Sequence, residues 1–244
     1  MNTDKLSVRL GTVAKYVPSG SRVADIGSDH AYLPCYLVKN NEVTFAIAGE
    51  VVAGPYQSAK KNVLAEGLEG MVSVRMGDGL EVLEPGEVDC ITIAGMGGTL
   101  IISILDTGKE KLSSVTRLVL QPNINAMAIR QWFIENGWQL IAEEILEEDG
   151  KIYEVLVGEK GNSESNYDKA QIERELLVGP FLSRERNQAF RKKWSLEKKN
   201  WQRIYQQLEG SAEPTAETLE KKQELLKKIR LVEEVLKDEE SKWT

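Results

Sequence analysis

The sequence predicts an α/β protein with a mostly parallel sheet that ends in an antiparallel hairpin, followed by an all-α C-terminal helical hairpin. Three observations predict it. Short β-type runs alternate with helical runs from residue 21 to residue 135, a pattern that gives right-handed crossovers and a sheet covered on both faces. Two strand-like segments then flank Glu147-Glu148-Asp149-Gly150-Lys151, and a turn containing Asp-Gly marks an antiparallel hairpin. Beyond a polar stretch the apolar residues take helical spacing to the end.

Each element follows from local pattern. Leu6, Leu10, Val13 and Val17 have helical spacing and stop at Pro18-Ser19-Gly20. Val23–Ile26 is a short strand running into Gly27, and Ala31–Val38 is helical with Pro34 in its first turn, where proline is tolerated. Thr44–Ala48 is a strand ending at Gly49-Glu50, and Ala53–Glu66 a helix stopped by Gly67. Met71–Met76 is a strand closed by Gly77-Asp78-Gly79, and Val88–Ala94 one closed by Gly95-Met96-Gly97-Gly98, with Leu100–Leu105 helical after it. Thr116–Leu120 is a strand ending in a turn at Gln121-Pro122-Asn123, and Ala126–Glu135 a helix stopped by Asn136-Gly137. Trp138–Leu146 and Ile152–Val157 form the hairpin, and Gly158–Asn166 reads as a linker. The domains are therefore 1–160 and 167–244.

In the second domain Phe190, Trp194, Trp201, Tyr205 and Leu208 mark one helix. Leu219, Leu226, Ile229, Val232 and Leu236 mark another. Glu209-Gly210-Ser211-Ala212-Glu213-Pro214 breaks between them, and Thr215 is a helix N-cap. Two heptad-like helices joined by a short loop predict a coiled-coil-like antiparallel hairpin.

Composition excludes several function classes. The chain has 244 residues with one His and two Cys, so neither a disulfide scaffold nor a His/Cys zinc site is expected, and no metal is assigned. His30 alone could serve a Ser/His/Asp or Cys/His site. No apolar run approaches the ~20 residues of a membrane span. The first residues lack a signal pattern, so a cytoplasmic location is expected. Residues 1–165 carry 14 basic and 23 acidic groups, whereas 166–244 carry 17 and 15. The stretch 184–203 is sharply basic, with eight Lys or Arg against Glu185 and Glu197, and Phe190, Trp194 and Trp201 lie among them. Such a patch on an acidic protein suits a polyanion, although a solvated helix face reads the same way.

In an open parallel sheet the ligand lies beyond the carboxyl ends of the strands. Asp25-Ile26-Gly27-Ser28-Asp29-His30 follows the first strand. It has one glycine, not Gly-x-Gly-x-x-Gly, and a carboxylate there repels a pyrophosphate but suits an ammonium or a sulfonium. Glu50 can accept two hydrogen bonds from ribose hydroxyls. Asp78 can accept from an adenine amino group, with Gly79 allowing close approach. Gly95, Met96 and Gly97 bring backbone and a soft apolar side chain against a ligand. Gln121 and Asn123 can each donate to and accept from a base edge. Taken singly, each also reads as a turn, cap or loop residue; three acids at three successive strand ends are harder to dismiss.

Together, Asp25-Ile26-Gly27-Ser28-Asp29-His30-Ala31-Tyr32-Leu33-Pro34, Gly95-Met96-Gly97-Gly98 and Gln121-Pro122-Asn123 resemble the TrmK family of bacterial tRNA methyltransferases. The resemblance spans nearly the whole chain. It implies a class I (Rossmann-like) methyltransferase domain with a coiled-coil-like C-terminal domain, S-adenosyl-L-methionine as cofactor, and methyl transfer to N1 of adenine 22 of tRNA. It implies that Asp25, Gly27 and Ser28 line the methionine part of the cofactor, Glu50 the ribose, Asp78 and Gly79 the adenine, and that Gly95, Met96 and Gly97 flank the sulfonium and the target base. Asp29, His30, Tyr32, Gln121 and Asn123 are the candidates on the substrate side. RNA contact is expected through the basic helix 184–203, with no membrane and no obligate protein partner. The competing readings are a methyltransferase for a non-RNA substrate and a non-catalytic adenosyl-ligand or RNA-binding module. A nicotinamide oxidoreductase is disfavoured by the missing glycine fingerprint.

Overall fold

Strand and helix alternate through the first 160 residues as the apolar pattern predicts. The computed structural model describes residues 2–209 and 215–237, and the chain divides into two units, Met1–Asn166 and Tyr167–Thr244. The first unit runs α1 (Val8–Lys15), β1 (Ser21–Ile26), α2 (Tyr32–Lys39), β2 (Val43–Glu50), α3 (Ala53–Ala65), β3 (Val72–Met76), β4 (Cys90–Gly97), α4 (Gly98–Thr107), β5 (Arg117–Ile124), α5 (Ala126–Glu135), β6 (Trp138–Glu148) and β7 (Lys151–Lys160).

The strands form one seven-stranded sheet in the order β3-β2-β1-β4-β5-β7-β6. β1 to β5 are parallel, and β7 runs antiparallel to both β5 and β6. Ala24, Ile91, Ile93, Leu118, Val119 and Leu120 are fully buried, as expected of central strands covered by helices on both faces. Strand order reverses between β1 and β4, which places their carboxyl ends side by side. That is where an open sheet offers a crevice.

Most strands run past the ends read from the sequence, and β4 continues through Gly95, Met96 and Gly97, read above as closing the strand. β5 continues through Gln121, Pro122 and Asn123, read above as a turn. Proline is tolerated there because pairing with β7 ends at Leu120, so its missing N–H interrupts no ladder on that side. β7 extends to Lys160, so Gly158 begins no linker. The register of β4 against β5 shifts on either side of Met96. Gly95, at φ +81°, takes the left-handed conformation such a bulge requires.

The second unit contains α6 (Ile172–Val178), α7 (Leu182–Glu185), α8 (Gln188–Glu209) and α9 (Ala216–Lys237). The basic stretch 184–203 is therefore not one helix. Arg186 takes a left-handed backbone (φ +49°), which ends α7, and Asn187 caps the next helix by accepting from the Phe190 N–H at 3.0 Å. α8 and α9 run antiparallel: Lys198 lies 3.8 Å from Glu233, Lys228 sits over Trp201 and Lys222 over Tyr205. The buried positions of α9 are Leu225, Ile229, Val232 and Val235. Leu219 is exposed, and Leu226 and Leu236 only flank this seam. Thr215 caps α9 through the Thr218 N–H. The Gly210–Pro214 breaker lies outside the described residues. No helix among the described residues is long and apolar enough to cross a membrane.

Candidate active site

The predicted residues gather at the carboxyl ends of the strands, around two cavities. One, of about 300 Å3, is lined by Arg9, Asp25, Gly27, Ser28, Asp29, Gly95, Met96, Asn123 and Tyr153, among others. The other, of about 400 Å3, is lined by Asp78 and Gly79 together with Leu100, Ser103, Ile104 and Thr107 from α4.

Asp25, next to last in β1, is almost fully buried. Its Oδ2 accepts from the Ser28 hydroxyl and its Oδ1 from the Thr92 hydroxyl, both at 2.6 Å. Thr92 is the residue opposite Asp25 on β4. Burial holds the Asp25 carboxyl above its ordinary pKa, while the two hydroxyls and the Arg9 charge oppose that shift. Gly27 follows at φ +69°, and a Cβ there would lie 2.2 Å from the Met96 Cε. Only glycine lets the β1 loop and Met96 share this space.

Asp29, His30 and Ala31 are three consecutive non-glycine residues with left-handed backbones, at φ +44°, +73° and +57°. The turn is held from outside: the Asn62 amide donates to the His30 carbonyl at 2.9 Å, and Gly27 and Ser28 N–H groups donate to the Gly49 carbonyl. His30 Nε2 lies 3.2 Å from Asp29 Oδ1 and its ring stacks on Tyr32. The Asp29 carboxylate remains largely exposed on the cavity wall.

Glu50 ends β2 and is 5% exposed. Its Oε1 is buried with no hydrogen-bond partner among the described residues. Burial raises its pKa, and the charges of Asp25 and Asp29 add to the rise, against a backbone hydrogen bond from Asp29. A buried carboxylate oxygen left without a donor is costly unless a ligand supplies one. Asp78 is exposed and begins a single 3-10 turn, with its N–H donating to Glu81 Oε2. Gly79, at φ +53°, packs against Ile104.

Gln121, expected to face a base, is fully buried. Its Oε1 accepts from Arg9 Nη1 at 2.6 Å and from the Gly95 N–H at 3.0 Å, and its Nε2 donates to Asn123. The Asn123 amide donates to the Gly95 carbonyl at 2.7 Å. Gln121 thus braces the glycine bulge, and Asn123 is the exposed amide beside the cavity. Gly97 caps the start of α4. His30, Tyr32, Glu50, Gly97 and Gln121 are outside the lining of both cavities. The sequence reading missed Arg9, Thr92 and Tyr153, which reach this place from α1, β4 and β7.

A family model described as TrmK, tRNA (adenine(22)-N(1))-methyltransferase, matches residues 23–234. The chain belongs to the TrmK family. It is 52% identical over 236 residues to the tRNA (adenine(22)-N(1))-methyltransferase of Bacillus subtilis, covering 97% of this chain and 99% of that one. The crystal structure of B. subtilis TrmK superposes with a TM-score of 0.91 at 51% identity, over 96% of this chain and 99% of that one. A TrmK-like protein of Streptococcus pneumoniae, crystallised in complex with S-adenosyl-L-methionine, gives a TM-score of 0.79 at 45% identity, over 95% of this chain and all of that one. The TrmK family match therefore extends through both units of the chain.

Proposed function

We infer that this protein transfers a methyl group from S-adenosyl-L-methionine to N1 of adenine 22 in tRNA. The observation that carries the reading is the Glu50 carboxylate at the end of β2, buried with one oxygen unpartnered among the described residues and close enough to Asp25 and Asp29 of the smaller cavity to feel their charges. It sits in a chain that matches the B. subtilis enzyme almost end to end. The residues present fit the donor. A ribose hydroxyl offers the unpartnered Glu50 oxygen the donor it lacks, and Gly95 puts no side chain into the crevice.

When bound, S-adenosylmethionine supplies a methyl group already activated by its sulfonium. The chain then has chiefly to align and to exclude water. Glu50 holds the ribose, Asp78 and Gly79 take the adenine, and Asp25, Gly27 and Ser28 border the methionine portion. Gly95, Met96 and Gly97 border the sulfonium. N1 of neutral adenine carries a free lone pair, so no strong base is needed, but the methylated base is cationic. The exposed Asp29 carboxylate and the Asn123 amide stand where they can accept from the exocyclic amino group and favour that charge. His30 and Tyr32 orient the Asp29 turn, and Gln121 fixes the Gly95 bulge.

N1 lies on the pairing edge, so the base must be unpaired or extruded. We assign residues 1–160 to methyl transfer and 167–244 to holding tRNA through its phosphates and shape, with the exposed Arg184, Arg191, Lys192, Lys199 and Arg203 as contacts. The enzyme acts in the cytoplasm and needs no obligate protein partner. The test is incubation of unmodified tRNA with labelled donor and mapping of the product. N1-methyladenosine at position 22 is expected, and transfer to another nucleoside, or none, overturns the reading.

A further inference from the structure

Gly95, Gln121 and Asn123 bond to one another in a closed ring that can run in one sense only. Gln121 and Asn123 alternate with Pro122 on β5, so their side chains leave the same face of the strand. The Gly95 N–H donates to Gln121 Oε1 at 3.0 Å, Gln121 Nε2 donates to Asn123 Oδ1 at 3.3 Å, and Asn123 Nδ2 donates back to the Gly95 carbonyl at 2.7 Å. Arg9 sets the direction. Its Nη1 donates to the same Gln121 oxygen at 2.6 Å, and a guanidinium never accepts. The Gln121 oxygen must therefore face Arg9 and Gly95, which leaves its nitrogen for the Asn123 oxygen. Arg9 is itself fixed, 5.5 Å over the Tyr153 ring on a helix whose first turn is tied to Glu148 of β6.

Gln121 is fully buried, but Asn123 is exposed and lines the smaller cavity. Its oxygen has one bond from the ring and keeps a second lone pair, and its nitrogen has given one hydrogen and keeps another. Asn123 thus offers an acceptor and a donor side by side, in an order the ring holds. That order matches one purine edge. Adenine presents an amino donor at N6 beside an acceptor at N7, whereas guanine presents two acceptors, O6 and N7. We propose that Asn123 reads the N6–N7 edge of the target adenine, with Oδ1 accepting from the amino group and Nδ2 donating to N7. Arg9 and Gln121 are positioning residues that fix its sense. This rests on the methyltransferase reading above and adds to it the base edge by which adenine is selected. N1 stays free for the methyl group, and the amino hydrogen on the N1 side is left for Asp29. A guanine in the same pose turns O6 onto the Asn123 oxygen.

The test compares kcat/KM for two tRNAs, one with adenosine and one with 7-deazaadenosine at position 22, in the wild type, Asn123→Ala and Gln121→Glu. The analogue replaces N7 by a C–H and keeps N1 and N6. Dividing the wild-type adenosine-to-analogue ratio by that of a variant cancels the analogue's own reactivity. For Asn123→Ala the quotient is expected to be about threefold or more, the scale of one neutral hydrogen bond. Gln121→Glu keeps an acceptor for Arg9 and for the Gly95 N–H but has no donor for Asn123, so it is expected to lose the preference as well, with its melting temperature held. Calorimetry is expected to show donor binding within about threefold of wild type in both variants. A smaller quotient for Asn123→Ala overturns the proposal, and a wild-type ratio in Gln121→Glu overturns the positioning role. Loss of donor binding in both variants also overturns it, by assigning the ring to the donor. If the wild type methylates neither tRNA, the methyltransferase reading fails and this proposal with it.

Discussion

Replacing Glu50 with glutamine separates ligand binding from folding, because the two should move in opposite directions. The carboxylate is buried with one oxygen unpartnered among the described residues. Its pKa is raised by burial first and by Asp25 and Asp29 next. A carboxyl whose folded pKa exceeds its unfolded value binds more protons when folded. Its ionisation therefore subtracts stability as pH rises from the usual 4.5 through the raised value. Glu50→Gln removes that loss, so the melting temperature at pH 7 should hold or rise. Donor affinity should fall. Hydrogen bonds to a charged acceptor contribute about 1.5–3 kcal/mol each, and the amide keeps one acceptor of two. A loss of about 1.5–3 kcal/mol is a rise of roughly 10- to 150-fold in Kd. Wild-type affinity should also climb with pH above 4.5 and level off once Glu50 is ionised, whereas the variant should lack that dependence. Calorimetry from pH 5 to 8 with parallel melting curves reads all three. A Kd within threefold of wild type at pH 7, or a variant that loses binding and stability together, would refute the reasoning.

Gly27→Ala places a Cβ 2.2 Å from the Met96 Cε at a left-handed backbone position. The conformation costs about 1–2 kcal/mol and Met96 must swing into the cavity. Donor binding should fall at least tenfold with a melting loss of only a few degrees, and unchanged affinity would count against the site. Arg130 is fully buried, its Nε 2.6 Å from Glu143 and its Nη2 2.9 Å from Glu154. Arg130→Ala strands two buried carboxylates and should destabilise by about 3–5 kcal/mol, read by urea unfolding. Gly98→Ala drives a Cβ to 2.3 Å from the Asn125 carbonyl oxygen. Backbone cannot yield as a methionine tip can, so α4 must move and the melting temperature should fall further than for Gly27→Ala.

The sheet and its crevice were legible because both follow from local pattern. Runs such as Cys90–Ala94 and Leu118–Leu120 read as strands by their apolarity, and the glycines after Ala94 mark where α4 must start close by. What was not legible is contact between distant residues. Thr92 sits in an apolar run and shows no sign of its bond to Asp25, 67 residues away. Arg9 lies on an ordinary amphipathic helix and meets Gln121 across 112 residues. Gln121 was read as a ligand-facing amide because proline follows it, but pairing continues past Leu120 on the β4 side, which keeps Gln121 inside the sheet. The break at Arg186 had no Gly or Pro to announce it. Asn187, three residues before Phe190, was its one local signal.

The turn after β1 shows why so many residues that never touch a ligand are needed at this crevice. Left-handed backbone at Asp29, His30 and Ala31 costs about 1–2 kcal/mol each, a sum of roughly 3–6 kcal/mol. No isolated segment would hold that shape. It persists because Ala31 is fully buried, its carbonyl accepts the Cys35 N–H, and Asn62 and Gly49 bind the backbone on either side. The conformation turns the Asp29 N–H toward Glu50 while leaving its carboxylate exposed on the cavity wall. One residue thereby braces the proposed ribose acceptor through its backbone and reaches the cavity wall, the proposed substrate side, through its side chain. Relaxing the turn to ordinary right-handed geometry would separate those two functions. The helix α3, through Asn62, is therefore as much a part of the site as the loops that line it.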